Sequence, residues 1–196
     1  MLSRRLQRAL PALLVLGACA TNATMPRDLA AQLAEAPTEP ASRIWIDGDR
    51  IVAAAIAVGP GALPLAVRTT IDAVAPRGEL LFQGREWSAR GDGFRIEKRY
   101  RENAIEHTRS ALIAANGDVL ERSHSVPIAE APQNVLAAAM ERGHRVDEVR
   151  IVSGATQEEY WSCTVSNRIG AVYVVDVSLT GKLLRTKRRA AVRAES

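Results

Sequence analysis

The chain has 196 residues, with 26 Lys and Arg side chains against 22 Asp and Glu, and its formal net charge is +4 at pH 7. Residues 1–18 contain three of the arginines and no acid, so the remaining residues have 23 basic against 22 acidic side chains. A nearly neutral chain lacks the electrostatic footprint of a nucleic-acid-binding protein, and we expect no nucleic-acid partner.

An apolar run over residues 9–16 follows the arginines and is too short to span the roughly 30 Å hydrocarbon core of a bilayer. The run ends in Leu16-Gly17-Ala18-Cys19, which resembles the lipobox of bacterial lipoproteins. That resemblance implies that residues 1–18 are a signal peptide, that Cys19 carries palmitate-type lipid, and that Ala20 directs the protein to the outer membrane, facing the periplasm. The alternative is an ordinary secretory signal that contains a cysteine.

Residues 19–42 contain three prolines among alanines and small polar residues, a composition that predicts a flexible lipidated tether. Within this segment, the four-residue spacing of Leu29 and Leu33 predicts a short helix over residues 27–36.

Helix-like and strand-like segments recur in the rest of the chain, with Pro64 and Pro132 near the start of the two predicted helices. Strand patterns follow over residues 79–89, 93–101, 105–114 and 119–125, and again over residues 145–153, 159–168, 171–179 and 182–188. The last two strands of each set are joined by turn signals at Asn116-Gly117 and Thr180-Gly181. The sequence therefore predicts an α+β fold of two tandem units, each a helix followed by an antiparallel meander, over residues 43–127 and 128–196.

The segment DVSLTGKLLRTK, residues 176–187, closes the second unit in a way that resembles PepSY-like proteins, including the secreted β-lactamase inhibitor proteins. The first unit lacks the Asp before its turn, and residues 43–58 have no place in the repeat. The resemblance implies a non-catalytic binding or inhibitory module for another envelope protein, with an outward sheet face that contacts the partner.

One predicted strand alternates apolar residues such as Phe94 and Ile96 with charged residues such as Arg95 and Glu97. We expect the apolar face to pack on a helix and the charged face to point outward. Since Arg and Trp are enriched in binding hot spots, the partner-binding candidates are Arg85, Trp87, Arg95 and Arg99. The alternative is that this charged face is simply solvated.

The last fifteen residues carry six basic side chains and one acidic side chain. Candidates for contact with an anionic surface are Lys187, Arg188, Arg189 and Arg193. A second hypothesis is therefore a structural or assembly accessory that engages anionic lipid or peptidoglycan. The alternative is a charged edge strand with a frayed end.

No catalytic motif stands out, so we predict that the chain is not an enzyme; a periplasmic hydrolase assembled from distant residues is a third hypothesis. His107, His124 and His144 lack metal-ligand spacing, and we expect neither a metal nor a cofactor. With Cys19 acylated, Cys163 has no intrachain partner, and its alternation with Trp161 and Val165 predicts a buried strand position. A reactive thiol is the other interpretation of Cys163.

Overall fold

The computed structural model describes residues 25–35, 42–74, 77–155 and 158–190. Its helices are α1 (Arg27–Glu35), α2 (Leu65–Val74) and α3 (Gln133–Met140). Its strands are β1 (Ser42–Asp47), β2 (Arg50–Ala57), β3 (Glu79–Ser88), β4 (Gly91–Glu102), β5 (Ile105–Ile113), β6 (Val119–Val126), β7 (Arg145–Gly154), β8 (Tyr160–Ser166), β9 (Val172–Ser178) and β10 (Leu183–Ala190). Short 3₁₀ turns at Pro60–Ala62 and Ile128–Glu130 precede α2 and α3.

The ten strands form one closed antiparallel barrel in which each strand pairs with its sequence neighbours and β1 pairs with β10. The predicted α+β fold of two tandem helix-plus-meander units is therefore wrong, although the strands themselves form close to where the alternation places them. Two pairings overturn the prediction: β6 joins β7 directly, and β1 closes the sheet where Ile44 faces Ala190. The segment that had no place in the repeat forms β1 and β2, which complete the barrel.

Apolar side chains cover the outer face of the barrel where helices α2 and α3 pack against it. Val135 and Ala139 of α3 pack on a cluster that includes Val149, Cys163 and Val175, all fully buried. A second, smaller cluster joins α2 to β4 and β5; its buried members are Leu63, Val67, Ile96, Ala111 and Ile113. The predicted packing of the apolar strand face on a helix is confirmed, and so is the burial of Cys163.

The two predicted hairpin turns share one geometry. Gly117 N–H donates to Ala114 O at 2.9 Å, and Gly181 N–H donates to Ser178 O at 3.0 Å. Both glycines have positive φ, 97° and 88°, which is the left-handed conformation that closes a type I turn with a bulge in a hairpin. The turns are therefore confirmed in place, with the glycine alone taking the left-handed position.

The predicted short helix of the tether is α1, and it contacts β2 through the fully buried Leu29. Asp28 of α1 forms an ion pair with Arg85 of β3. The lipobox with Cys19, residues 20–24 and 36–41 of the predicted tether, and Arg193 lie outside the described residues, whereas Ser42, the last residue of the predicted tether, begins β1. In the described part of the chain, no helix has both the length and the apolar character needed to cross a bilayer.

Candidate functional site

The inward-pointing residues of the strands are mostly polar and charged, and they surround a cavity of about 380 Å³ that we call the lumen. Since strand residues alternate between faces, the same strands that place valine under a helix place charge inside the barrel. The described lining contains seven basic side chains, Arg43, Arg90, Arg95, Arg150, Arg185, Lys187 and Arg189, and six acidic ones, Asp47, Glu86, Glu97, Glu121, Glu148 and Asp176. The lumen is thus densely charged and close to neutral.

Arg95 lies at the centre of one ion-pair network. Its guanidinium donates two hydrogen bonds to Glu86, at 2.9 and 2.6 Å, and forms an ion pair with Glu121 at 2.9 Å. Burial alone would lower the pKa of Arg95, but the carboxylates of Glu86 and Glu121 outweigh it and raise the pKa well above its ordinary value. The pKa of Glu121 is lowered, because Arg95 and Lys187 overcome the opposite effect of burial. Both groups of this pair are therefore held in their charged forms.

Tyr160 extends this network across the barrel to β9 and β10. Its hydroxyl accepts hydrogen bonds from Arg90 at 3.0 Å and from Arg185 at 3.3 Å. Arg185 in turn forms an ion pair with Asp176, whose other oxygen accepts a hydrogen bond from Ser162 at 2.7 Å. Burial, with Glu121 and Asp176 nearby, raises the pKa of Tyr160 to about 12.

A second network links three strands through Glu97. Arg43 donates to Glu97 at 2.9 Å, and Arg150 approaches the other oxygen of Glu97 at 3.6 Å. The Arg43 guanidinium also stacks over the Phe82 ring, 3.9 Å from its centroid. Burial raises and the two arginines lower the pKa of Glu97, and the net direction is down.

Lys187 differs from the other cations of the lumen. Among the described residues its ammonium forms no hydrogen bond or ion pair, and its nearest aromatic contact is the Trp45 ring, 5.9 Å from Nζ. Burial lowers its pKa more than the surrounding carboxylates, Asp176 first among them, raise it. The lumen therefore contains a cation that has lost part of its hydration and, among the described residues, has gained no hydrogen-bond or ion-pair partner.

Further buried polar atoms on lumen-lining side chains lack a hydrogen-bond partner in the described part of the chain. They include the Nε atoms of Arg43 and Arg150 and the Oγ1 atom of Thr186. Arg150 Nε lies 2.8 Å from Glu148, but without hydrogen-bond alignment. Buried donors of this kind are usually satisfied by water or a ligand, which indicates a wet lumen.

The four partner-binding candidates do not share one outward face. Arg95 points into the lumen, because the sheet closes and its charged face becomes the interior. Arg85 and Trp87 lie on the opposite face of β3, where Trp87 is buried and Arg85 binds Asp92 and Asp28. Arg99 lies near the end of β4, partly exposed and paired with Glu79 and Glu106. The common outward face that we expected is thus not formed, while a role of the single residues in binding stays a prediction.

The predicted basic tail is a paired strand as far as Ala190. Its alternation divides the candidates: Lys187 and Arg189 line the lumen, whereas Arg188 is exposed. Contact of this segment with an anionic surface stays a prediction, but two of its charges face the lumen acids instead of the solvent.

Sequence reasoning missed Glu86, Glu121 and Asp176 as lumen residues. Asp176 carried the clearest signal, since it interrupts a run of valines, and Val175 and Val177 on either side of it are fully buried. A lone acid in such a strand indicates a charged partner inside the protein. No group of His, Cys, Asp or Glu in the described ranges has the arrangement of a metal site.

No family model and no curated protein matches this chain. Among solved structures, it is similar to a protein from Bacteroides eggerthii described as periplasmic, at 13% identity and a TM-score of 0.47, over 65% of this chain and 90% of that chain. It is also similar to a DUF2874 family protein from Bacteroides uniformis, at 15% identity and a TM-score of 0.46, over 64% and 88% of the two chains. A BLIP-like protein from Bacteroides fragilis has 18% identity and a TM-score of 0.44, over 68% and 91%. At these identities and TM-scores the likenesses assign no function to the chain.

Proposed function

We propose that this chain is a non-catalytic binding module of the bacterial envelope, and that its ligand-binding surface is the lumen of the barrel. The observation that carries the proposal is the cavity of about 380 Å³ with its charged lining. Small-molecule sites are concave and typically have volumes of about 300–1,000 Å³, with a few polar groups that fix the orientation of the ligand. A lumen of this size suits a small polar molecule.

The protonation states of Glu97, Glu121 and Tyr160 in the lumen support binding over catalysis. Acid–base catalysis at neutral pH needs a group whose pKa lies near the working pH. Here the pKa values of Glu97 and Glu121 are lowered, and that of Tyr160 is raised to about 12. Burial likewise raises the pKa of Cys163, which lies outside the lumen, to about 11. These groups keep one charge state around pH 7, which favours fixed recognition.

The location in this proposal is the periplasmic side of the outer membrane, with lipid on Cys19 as the anchor. It rests on the lipobox pattern of residues 16–19. Two or more acyl chains anchor a protein stably, whereas a single chain does not. Replacing Cys19 by Ala should abolish incorporation of labelled palmitate and leave the protein uncleaved or mislocalised. Palmitate incorporation that survives the change would contradict the anchor.

The lumen is tested by filling it. Thr164 lines the cavity on β8, so Thr164→Trp should occupy the space, while Thr164→Val keeps the volume and serves as the matched control. A ligand at one hundred times its Kd stabilises its protein by about 2.7 kcal/mol, so a thermal-shift screen of small carboxylates, amines and sugars detects binding. At least one class should raise the Tm of the wild type and of Thr164→Val but not of Thr164→Trp. A Tm increase that is equal in all three proteins would place binding elsewhere.

Binding of an envelope protein partner is a second candidate, favoured by the hairpin of β4 and β5. The pairing of β3 with β4 stops at Arg99, and the pairing of β5 with β6 starts at Arg109, so the described residues between them pair only with each other. Ile105 is exposed in this projecting hairpin. A photo-crosslinker at Ile105 should capture a defined protein in living cells, and one at the equally exposed Ile128 should not. Identical capture from both positions would reject the hairpin.

A further inference from the structure

The charges of the lumen do not balance contact by contact. Each of five lumen acids forms at least one ion pair with an arginine: Glu86, Glu97, Glu121, Glu148 and Asp176. The sixth, Asp47, lies exposed at the end of β1. Lys187 makes no such pair in the described part of the chain, although it faces the cavity. The lining of seven cations and six acids thus leaves one positive charge, and Lys187 is where it is accessible.

Part of the wall around Lys187 is apolar. Val174 of β9 faces Lys187 directly across the strand pair, and Trp45 of β1 lies beside the ammonium. Val172, two residues along β9, lines the same side of the cavity. A cation next to a tryptophan and two valines matches a ligand with one charged end and an apolar body.

Resting on the proposed function, we propose that the lumen binds a small organic carboxylate, with its head group at Lys187 and its apolar body against Trp45 and Val174. One negative charge neutralises the surplus of the lumen, whereas a dianion would add a second charge among five carboxylates that are already paired with arginines. A cationic ligand would meet the Lys187 ammonium, and a neutral one would leave it without a partner. The chemistry therefore selects a monoanion.

The experiment uses hexanoate as the probe and hexanamide as its neutral counterpart. Calorimetric titration into the full chain in phosphatidylcholine nanodiscs, with empty nanodiscs as the blank, measures the Kd of each. Since a charge-assisted hydrogen bond is roughly twice as strong as a neutral one, hexanoate should bind at least about tenfold more tightly than hexanamide. Equal affinities would overturn the proposal, as would binding of inorganic phosphate without binding of hexanoate.

Two neighbouring residues on β10 provide the variants. Lys187→Gln should weaken hexanoate binding at least about tenfold, whereas Arg188→Gln removes the same charge from the exposed face and should leave the Kd unchanged. Lys187→Arg keeps the charge and should retain binding, which covers the case in which Lys187→Gln unfolds. Unchanged binding in Lys187→Gln, or equal losses in both Gln variants, would overturn the assignment.

Failure of this inference is distinguishable from failure of the proposed function. If a neutral or cationic class stabilises the wild type but not Thr164→Trp, and hexanoate does not bind, the lumen is a binding site with another ligand. If no class depends on the open lumen, both proposals fall. Quenching of tryptophan fluorescence by hexanoate that disappears in Trp45→Phe would locate the bound probe, because Trp87 and Trp161 lie on the outer face.

Discussion

The outer and inner faces of the barrel belong to the same strands but differ in polarity: the outer face is apolar beneath the helices, and the inner face is charged. On β9, Val175 and Val177 are fully buried beneath α3, while Asp176 between them is buried in the lumen with Arg185 and Ser162. The outer face gains stability by removing apolar surface from water. The inner face gains little from its buried ion pairs, because desolvation offsets their attraction, but it gains a defined polar cavity. The comparison teaches that the apolar packing under the helices stabilises this fold, whereas the inner face leaves a charged cavity.

The largest loss of stability is expected when one member of a buried ion pair on the inner face is removed. Arg95→Met leaves Glu86 with an uncompensated charge, while Glu121 keeps its ion pair with Arg90, and the variant should lower the free energy of unfolding by about 3–5 kcal/mol. Arg95→Met combined with Glu86→Gln removes that charge and should be more stable than Arg95→Met alone. Urea denaturation of the single and double variants measures both effects. A double variant that loses the sum of the two single effects would mean that the residues act independently.

Adjacent valines of β9 sharpen the comparison with a smaller change. Val175→Thr buries a hydroxyl under α3 and should cost about 1–3 kcal/mol. Val174→Thr places the same hydroxyl in the polar lumen, where the cost should be within about 0.5 kcal/mol, as for ordinary surface substitutions. Differential scanning calorimetry of the two variants gives the contrast. Equal losses of stability would show that the two faces are alike in polarity.

The smallest expected effect is a loss of stability at acid pH, which comes from carboxylates of the inner face. The folded-state pKa values of Glu97 and Glu121 are lowered, so between the folded and unfolded values the unfolded chain binds more protons. The stability from these groups is fully present above the ordinary Glu pKa of about 4.3 and is lost as the pH falls through the folded values. The urea midpoint should be constant from about pH 7 to pH 5 and fall below about pH 4.3. Glu97→Gln should flatten this fall, and an identical pH profile for that variant would contradict the assignment to Glu97.

The sequence predicted local structure better than its assembly. Alternation located the strands, and the Asn116-Gly117 and Thr180-Gly181 turns joined them correctly. Alternation also separated the faces of β4, with Ile96 under a helix and Arg95 on the other side. The alternation of residues along a strand carries no information about how strongly the sheet curves, so we assigned the charged face to the exterior.

The candidate site was predictable only in fragments. Arg95 was selected for its charge, but its partners were not: Glu86 lies beside it on the paired strand β3, and Glu121 lies two strands away on β6. Lys187 was grouped with a basic tail, because a net charge per segment ignores which side of a strand each residue takes. The phase of the alternation along β10, combined with closure through β1, is what brings Lys187 to the lumen.

The pairing of Ile44 with Ala190 also sets the order of events during folding. Strand β1 gains its second neighbour only when β10 has formed and paired with it. Because this contact joins residues far apart in the sequence, it slows folding. Until that step the sheet has two open edges, and open edges pair with other chains. Loss of β10 by proteolysis would restore this state, so a clipped protein should self-associate where the intact one does not.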